Sequence, residues 1–161
     1  MPKYETQAHR RAEQEVRDFF VRHWSGWTHE DKVGQYCPYD GVFHESAVSS
    51  TTPDLGLRQV VYEVKVRDAP VAQRPITVRY AMRNGLLLSE HKWDAVRAEA
   101  ARRGPTAIPV IIVRIEGRLF GAAMDPALII GRRPGQPRKD RAEPDKTLLL
   151  DIGRFKEYAV H

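Results

Sequence analysis

Near the start of the chain, apolar positions recur at spacings of three and four. Ala12, Val16, Phe19, Phe20 and His23 form one stripe, while Arg10, Arg11, Arg17 and Asp18 fall largely elsewhere. This predicts an amphipathic helix from about Glu5 to Trp24 lying against a sheet. A polar, turn-rich stretch, SGWTHEDKVGQYCP, follows. The period then shortens to two: YDGVFHE and LRQVVYEVKVR read as strands with SAVSSTTP as the loop between them, and a hairpin of the two brings Asp40 toward Glu63. The segment DAPVAQRPITVRYAMRNG is poorly periodic, and ITVRYAM fits either a strand or a partly ordered flap. Helical spacing returns with Trp93, Val96 and Ala100, with Ser89 as N-cap and Gly104-Pro105 as the stop. IPVIIVRI is a buried strand, turned by Glu116-Gly117 into RLFGAAM as a second hairpin. GRRPGQPRKDRAEPDK reads as a basic loop at about 131–146, TLLLDI as a last strand and GRFKEYAV as a short helical tail. No internal repeat is evident. This order predicts an α/β fold with a mixed central sheet flanked by helices.

Composition narrows the class. A chain of 161 residues with 42% hydrophobic content buries one ordinary core, so a single domain spanning 1–161 is expected. The 26 Lys and Arg against 21 Asp and Glu leave a formal charge of +5, with arginine predominating, which favours a polyanionic partner. The single Cys37 excludes an intrachain disulfide and no Cys/His cluster has zinc spacing, which suits a reducing compartment. MPKYETQAHRR lacks an apolar signal-like core, and no stretch approaches the roughly 18 apolar residues that read as a membrane span. The expectation is a soluble, cytoplasmic protein without membrane contact.

Within VVYEVKVRD, Glu63 and Lys65 project from one face of a strand whose Val60, Tyr62, Val64 and Val66 share the other. Two charged groups in such a strand are costly unless paired, hydrated or bound to a metal. An acid on the neighbouring strand resolves the difficulty. Two carboxylates can hold a divalent metal while the lysine ammonium stands beside an attacking water, the arrangement needed to hydrolyse a phosphodiester.

YDGVF followed by VVYEVKV, after a helix containing RRAEQE, resembles the PD-(D/E)XK nuclease superfamily. SEHKWDAVRAEAARRGPTAIPVIIVRI is similar to the helix and strand that follow the catalytic strand in archaeal-type Holliday junction resolvases and related phage nucleases. The resemblance covers about Arg10 to Met124. It implies a restriction-endonuclease-like fold and a magnesium-dependent DNA endonuclease, with manganese as substitute. The implied metal ligands are Asp40 and Glu63, with Lys65 beside the water. The first-helix glutamate of the family maps to Glu15, with Glu13 as fallback. The literal Pro-Asp dipeptide is Pro53-Asp54, but it leaves only a very tight hairpin before Glu63, so Asp40 is preferred and Asp54 stays open. Junction resolution implies a homodimer acting on four-way DNA; an exonuclease, a repair or restriction-like nuclease, and a non-catalytic DNA-binding module are the alternatives.

Arg10, Arg11, Arg67, Lys92, Arg132, Arg133 and Arg141 are the candidate phosphate contacts, with Arg138 and Lys139 in the same basic loop. None belongs to a base-reading motif, which favours recognition of DNA shape over sequence. Trp93 reads as core, and His29, His44 and His91 as ordinary polar histidines.

Overall fold

The structure, a computed structural model, describes residues 7–34, 37–46, 56–68, 71–72, 74–134 and 146–160. In chain order the elements are α1 (Gln7–His23), β1 (Thr28–Asp31), β2 (Gly41–His44), β3 (Gln59–Val66), α2 (Val78–Asn84), β4 (Leu86–Ser89), α3 (Glu90–Arg103), β5 (Ala107–Ile115), β6 (Arg118–Ala123), β7 (Ile129–Arg133), β8 (Thr147–Leu150) and β9 (Lys156–Tyr158). Single 3-10 turns at Pro126–Leu128 and Ile152–Arg154 precede β7 and β9.

Six strands form the central sheet in the order β1-β2-β3-β5-β6-β9, and β4-β8-β7 form a smaller one. Among the described residues only β3 and β5 run parallel; the other pairs are antiparallel. The fold is therefore mixed α/β. Side-chain alternation along β3 divides the interior into two layers. Val60, Tyr62, Val64 and Val66 pack with Ala12, Val16 and Phe20 of α1, while Val61 packs with Val42, Ile111, Val113 and the Trp93, Val96 and Ala100 stripe of α3. Each fully buried side chain of this size contributes about 1.5–3 kcal/mol, so β3, packed on both faces, anchors the sheet.

Several expectations are corrected. Four residues of the polar segment, Thr28–Asp31, form edge strand β1, which has no apolar alternation because neither its start nor its end is buried. ITVRYAM is neither strand nor flap: Thr77 Oγ1 accepts the Tyr80 amide at 3.0 Å to start α2, and Gly85, at φ 83°, ends it. Glu116 fastens that helix by accepting the Val78 amide at 2.6 Å, while Glu116 and Gly117 (φ 52° and 73°) make the two-residue turn between β5 and β6. The helix expected behind Ser89 is borne out, α3 starting at Glu90 with Ser89 at its N-cap, while the preceding LLLS forms strand β4. The supposed helical tail is a 3-10 turn and strand β9, because Tyr158 packs edge-on against Phe20 with ring centroids 5.0 Å apart and Glu157 pairs with Arg118. Arg132 and Arg133 belong to β7 and not to a loop; Arg138, Lys139 and Arg141 lie outside the described residues. No described helix is long and apolar enough to cross a membrane.

Candidate active site

Asp40 stands just before β2, where its amide donates to Tyr62 O at 2.8 Å and extends the pairing of β2 with β3. Its carboxylate turns back onto β3, and Oδ2 accepts the Val64 amide at 2.6 Å. One position before Val64, Glu63 is 2% exposed, and Asp40 itself is 6% exposed. Lys65 lies on the same β3 face as Glu63, with Nζ 3.4 Å from Glu63 Oε1. Lys92 reaches the same oxygen from α3 at 2.9 Å.

A third buried acid enters from α1. Glu13 Oε1 lies 3.0 Å from His9 Nε2, and Lys32 stands between Glu13 Oε2 (3.9 Å) and Asp40 Oδ1 (3.6 Å). Carboxylates and ammonium groups thus alternate across the cluster. Burial pushes the Asp40 carboxyl well above the usual carboxylate range, and the negative charges of Glu63 and Glu13 push it further, against the Val64 amide and Lys32. For Glu13, burial works upward but is outweighed by the His9 hydrogen bond and the charges of His9, Lys32 and Lys92, so its carboxyl sits below the ordinary value. The lysines diverge. Burial lowers Lys65, helped by Lys92 and Arg67 and opposed by Glu63, whereas for Lys92 the burial penalty is outweighed by Glu63 and the other two acids and its pKa rises. Of the two, Lys65 parts with a proton more readily.

The helix acid in this cluster is Glu13 and not Glu15. Successive helical residues turn by about 100°, so a two-residue shift carries Glu15 to the other side of α1. There its Oε2 meets Arg114 Nη1 at 3.1 Å, the side chain is 63% exposed, and Arg114 also binds Asp68. Arg10 and Arg11 are exposed on α1, and Arg132 is paired with Glu90. Arg67 donates from Nη2 to Leu87 O at 3.2 Å. Lys92 is bound to Glu63 instead of standing free as a phosphate contact. Asp54 and Arg141 lie outside the described residues. Lys32 and His9 carried no sequence signal, since one sits in a polar turn and the other on the first turn of a helix.

Behind the carboxylates, Tyr62 Oη lies 2.7 Å from His29 Nε2 and accepts from Arg17 Nε at 3.2 Å. A β-carbon at Gly41 would come within 2.6 Å of that hydroxyl and 2.7 Å of the histidine, so only glycine fits beside Asp40.

Magnesium is commonly held by one or two carboxylates and completes its shell with water and phosphate oxygens. Asp40 and Glu63 are two buried carboxylates of that kind; burial first, and then the charges of Glu63 and Glu13, push the Asp40 carboxyl up, a cost that a bound cation would lower. Among the described residues no group of three His, Cys, Asp or Glu side chains is set to hold a metal ion. Neither the models of known protein families nor the curated proteins yield a match to this chain.

Proposed function

We propose that the protein is a magnesium-dependent DNA endonuclease of the PD-(D/E)XK kind. The observation that carries this reading is the approach of two buried carboxylates, Asp40 just before β2 and Glu63 on the adjacent β3, with the Lys65 ammonium on the same face as Glu63. A divalent ion on those carboxylates supplies charge stabilisation to the phosphate and acidifies water. Lys65 Nζ orients the attacking water and meets the charge that develops on the phosphate oxygens. Glu13 holds Lys32 against Asp40 and so fixes the second carboxylate. Lys92, 2.9 Å from Glu63 Oε1, holds that carboxylate in place and would leave its ammonium close to a phosphate bound at the pair.

DNA as substrate is supported by the net charge of +5 and by the exposed Arg10, Arg11 and Arg133. The finer reading is a homodimeric Holliday junction resolvase cutting opposed strands of a four-way junction, working in the cytoplasm. A general exonuclease or repair nuclease shares the same site. The deciding experiment incubates the protein with a four-way junction, a linear duplex and a single strand, with and without magnesium or manganese. Paired nicks across the junction point support the resolvase, end-dependent trimming supports the exonuclease, and tight binding without cleavage in either metal overturns the enzymatic reading.

A further inference from the structure

In the small sheet, β8 lies between β4 and β7, leaving β4 as an edge among the described residues. Its inward residues, Leu86, Leu88, Leu148 and Leu150, are buried in the core. The outward side is also apolar. Leu87 pairs with Leu149, which pairs with Gly131 across β7. Leu87 is 40% exposed and Ile130, at the irregularity in β7, is 58% exposed. Ile130 Cδ1 and Leu149 Cδ2 lie 3.3 and 3.4 Å from where a β-carbon would stand at Gly85, so these two side chains meet over bare backbone. Leu87, Leu149 and Ile130 thus stand as neighbouring apolar side chains on the outward side of the small sheet.

That face adjoins the carboxylate cluster through one residue. Arg67 follows the last residue of β3, its amide continuing the ladder to Arg114 O at 2.8 Å, so alternation carries it to the side of Glu63 and Lys65, and its guanidinium donates to Leu87 O on β4. Arg67 is half-buried and has no carboxylate partner among the described residues, unlike Arg58, Arg102, Arg103, Arg114 and Arg118. A guanidinium with one donor spent on a carbonyl keeps others for an anion. Arg133 is exposed at the end of β7, so cationic groups flank the apolar face on two sides.

We propose that this surface holds DNA at a place where bases are unpaired: Arg67 takes a backbone phosphate next to the reacting one, and the Leu87, Leu149 and Ile130 face receives bases that have left the duplex. The inference rests on the nuclease reading and deepens it by naming the substrate class as branched, frayed or single-stranded DNA. A closed duplex offers phosphates but no base faces, whereas aliphatic side chains meet unstacked bases readily. Charge complementarity favours nucleic acid over a second copy of this basic chain.

The test uses the full-length protein in calcium, with fluorescence anisotropy on a duplex, a single strand and a four-way junction at several salt concentrations. Arg67→Gln weakens binding to all three by about tenfold and lowers the salt slope by about one. Where that variant fails to fold, Arg67→Met, which keeps the packed stem, is read instead. Leu87→Ser with Ile130→Ser weakens single-strand and junction binding by about tenfold and leaves duplex binding within about twofold. An equal loss on all three forms, or no loss, overturns the inference. So does sedimentation showing that the serine pair converts a wild-type dimer to monomer with its DNA preference unchanged, which makes the face an interface between copies. Wild-type protein that binds none of these DNAs overturns the nuclease reading as well; wild type that cuts DNA while the serine pair discriminates nothing overturns this inference alone.

Discussion

Asp40 Oδ2 accepts the Val64 amide at 2.6 Å, so the strand that presents Glu63 also grips the carboxylate opposite it. The separation of the two acids is set by β3 itself and not by a flexible loop. Removing either charge therefore leaves the backbone in place, which makes substitutions around this pair informative.

Glu13 and Glu15 give the sharpest contrast. Glu13→Gln is expected to weaken magnesium binding in calorimetry and to slow cleavage, because Lys32 is no longer held against Asp40. Glu15→Gln removes only an exposed pair with Arg114, costs no more than about 1 kcal/mol and leaves cleavage unchanged. The reverse result would return the helix ligand to Glu15.

Lys65→Met is expected to reduce single-turnover cleavage by about 100-fold or more, with a much smaller change in DNA affinity measured in calcium. Its ammonium lies 3.4 Å from Glu63 Oε1 inside the carboxylate cluster, so under the proposed function it would meet the reacting groups and not the distant backbone. A loss confined to affinity would make it a phosphate clamp.

Gly41→Ala forces a methyl group against Tyr62 and His29 and is expected to cost about 1–3 kcal/mol, read as a lowered Tm. Adding Tyr62→Phe removes the hydroxyl and should recover part of that loss. No recovery would show that the ring, at 2.9 Å, and not the hydroxyl, sets the limit.

Glu30 supplies a pH-dependent contribution. The hydrogen bond from Arg103, with His44 assisting against burial, holds its carboxyl down at about 2 against an ordinary 4.5. Its stabilisation is present above about 4.5 and is lost as pH falls through about 2. Because the side chain is 40% exposed, solvent screening limits the effect to no more than about 1 kcal/mol. Urea melts of wild type and Glu30→Gln should differ at pH 7 and converge across that window. A gap that persists to the acid end would assign the loss to packing.

Periodicity alone exposes the elements that bury a regular face. The α1 stripe, the β3 and β5 runs and the Trp93-Val96-Ala100 stripe all announce themselves because each packs a repeating side against the sheet. THED has no such face and is a strand only through pairing with β2. LeuLeuLeuSer is equally apolar as strand or helix start, and pairing with β8 decides it. Within the site, the positions of Asp40, Glu63 and Lys65 follow from strand alternation and a hairpin. The choice between Glu13 and Glu15 depends on the rotation of α1 about its axis, and Lys32 enters through a turn whose path is set by tertiary contacts.

The parallel pairing of β3 with β5 also orders the events of folding. Glu63 lies opposite Ile111, and everything from α2 to the end of α3 must be laid down as a crossover before those strands meet. The β5–β6 and β2–β3 hairpins are local pairings, whereas joining β3 to β5 requires closing the long crossover, the costlier step in loop entropy. Lys92 travels with that crossover, so it reaches Glu63 only when the parallel ladder forms. The β2–β3 hairpin brings Asp40 and Glu63 together with Lys65 already beside them, and the crossover adds Lys92 as a second ammonium on the same Glu63 oxygen.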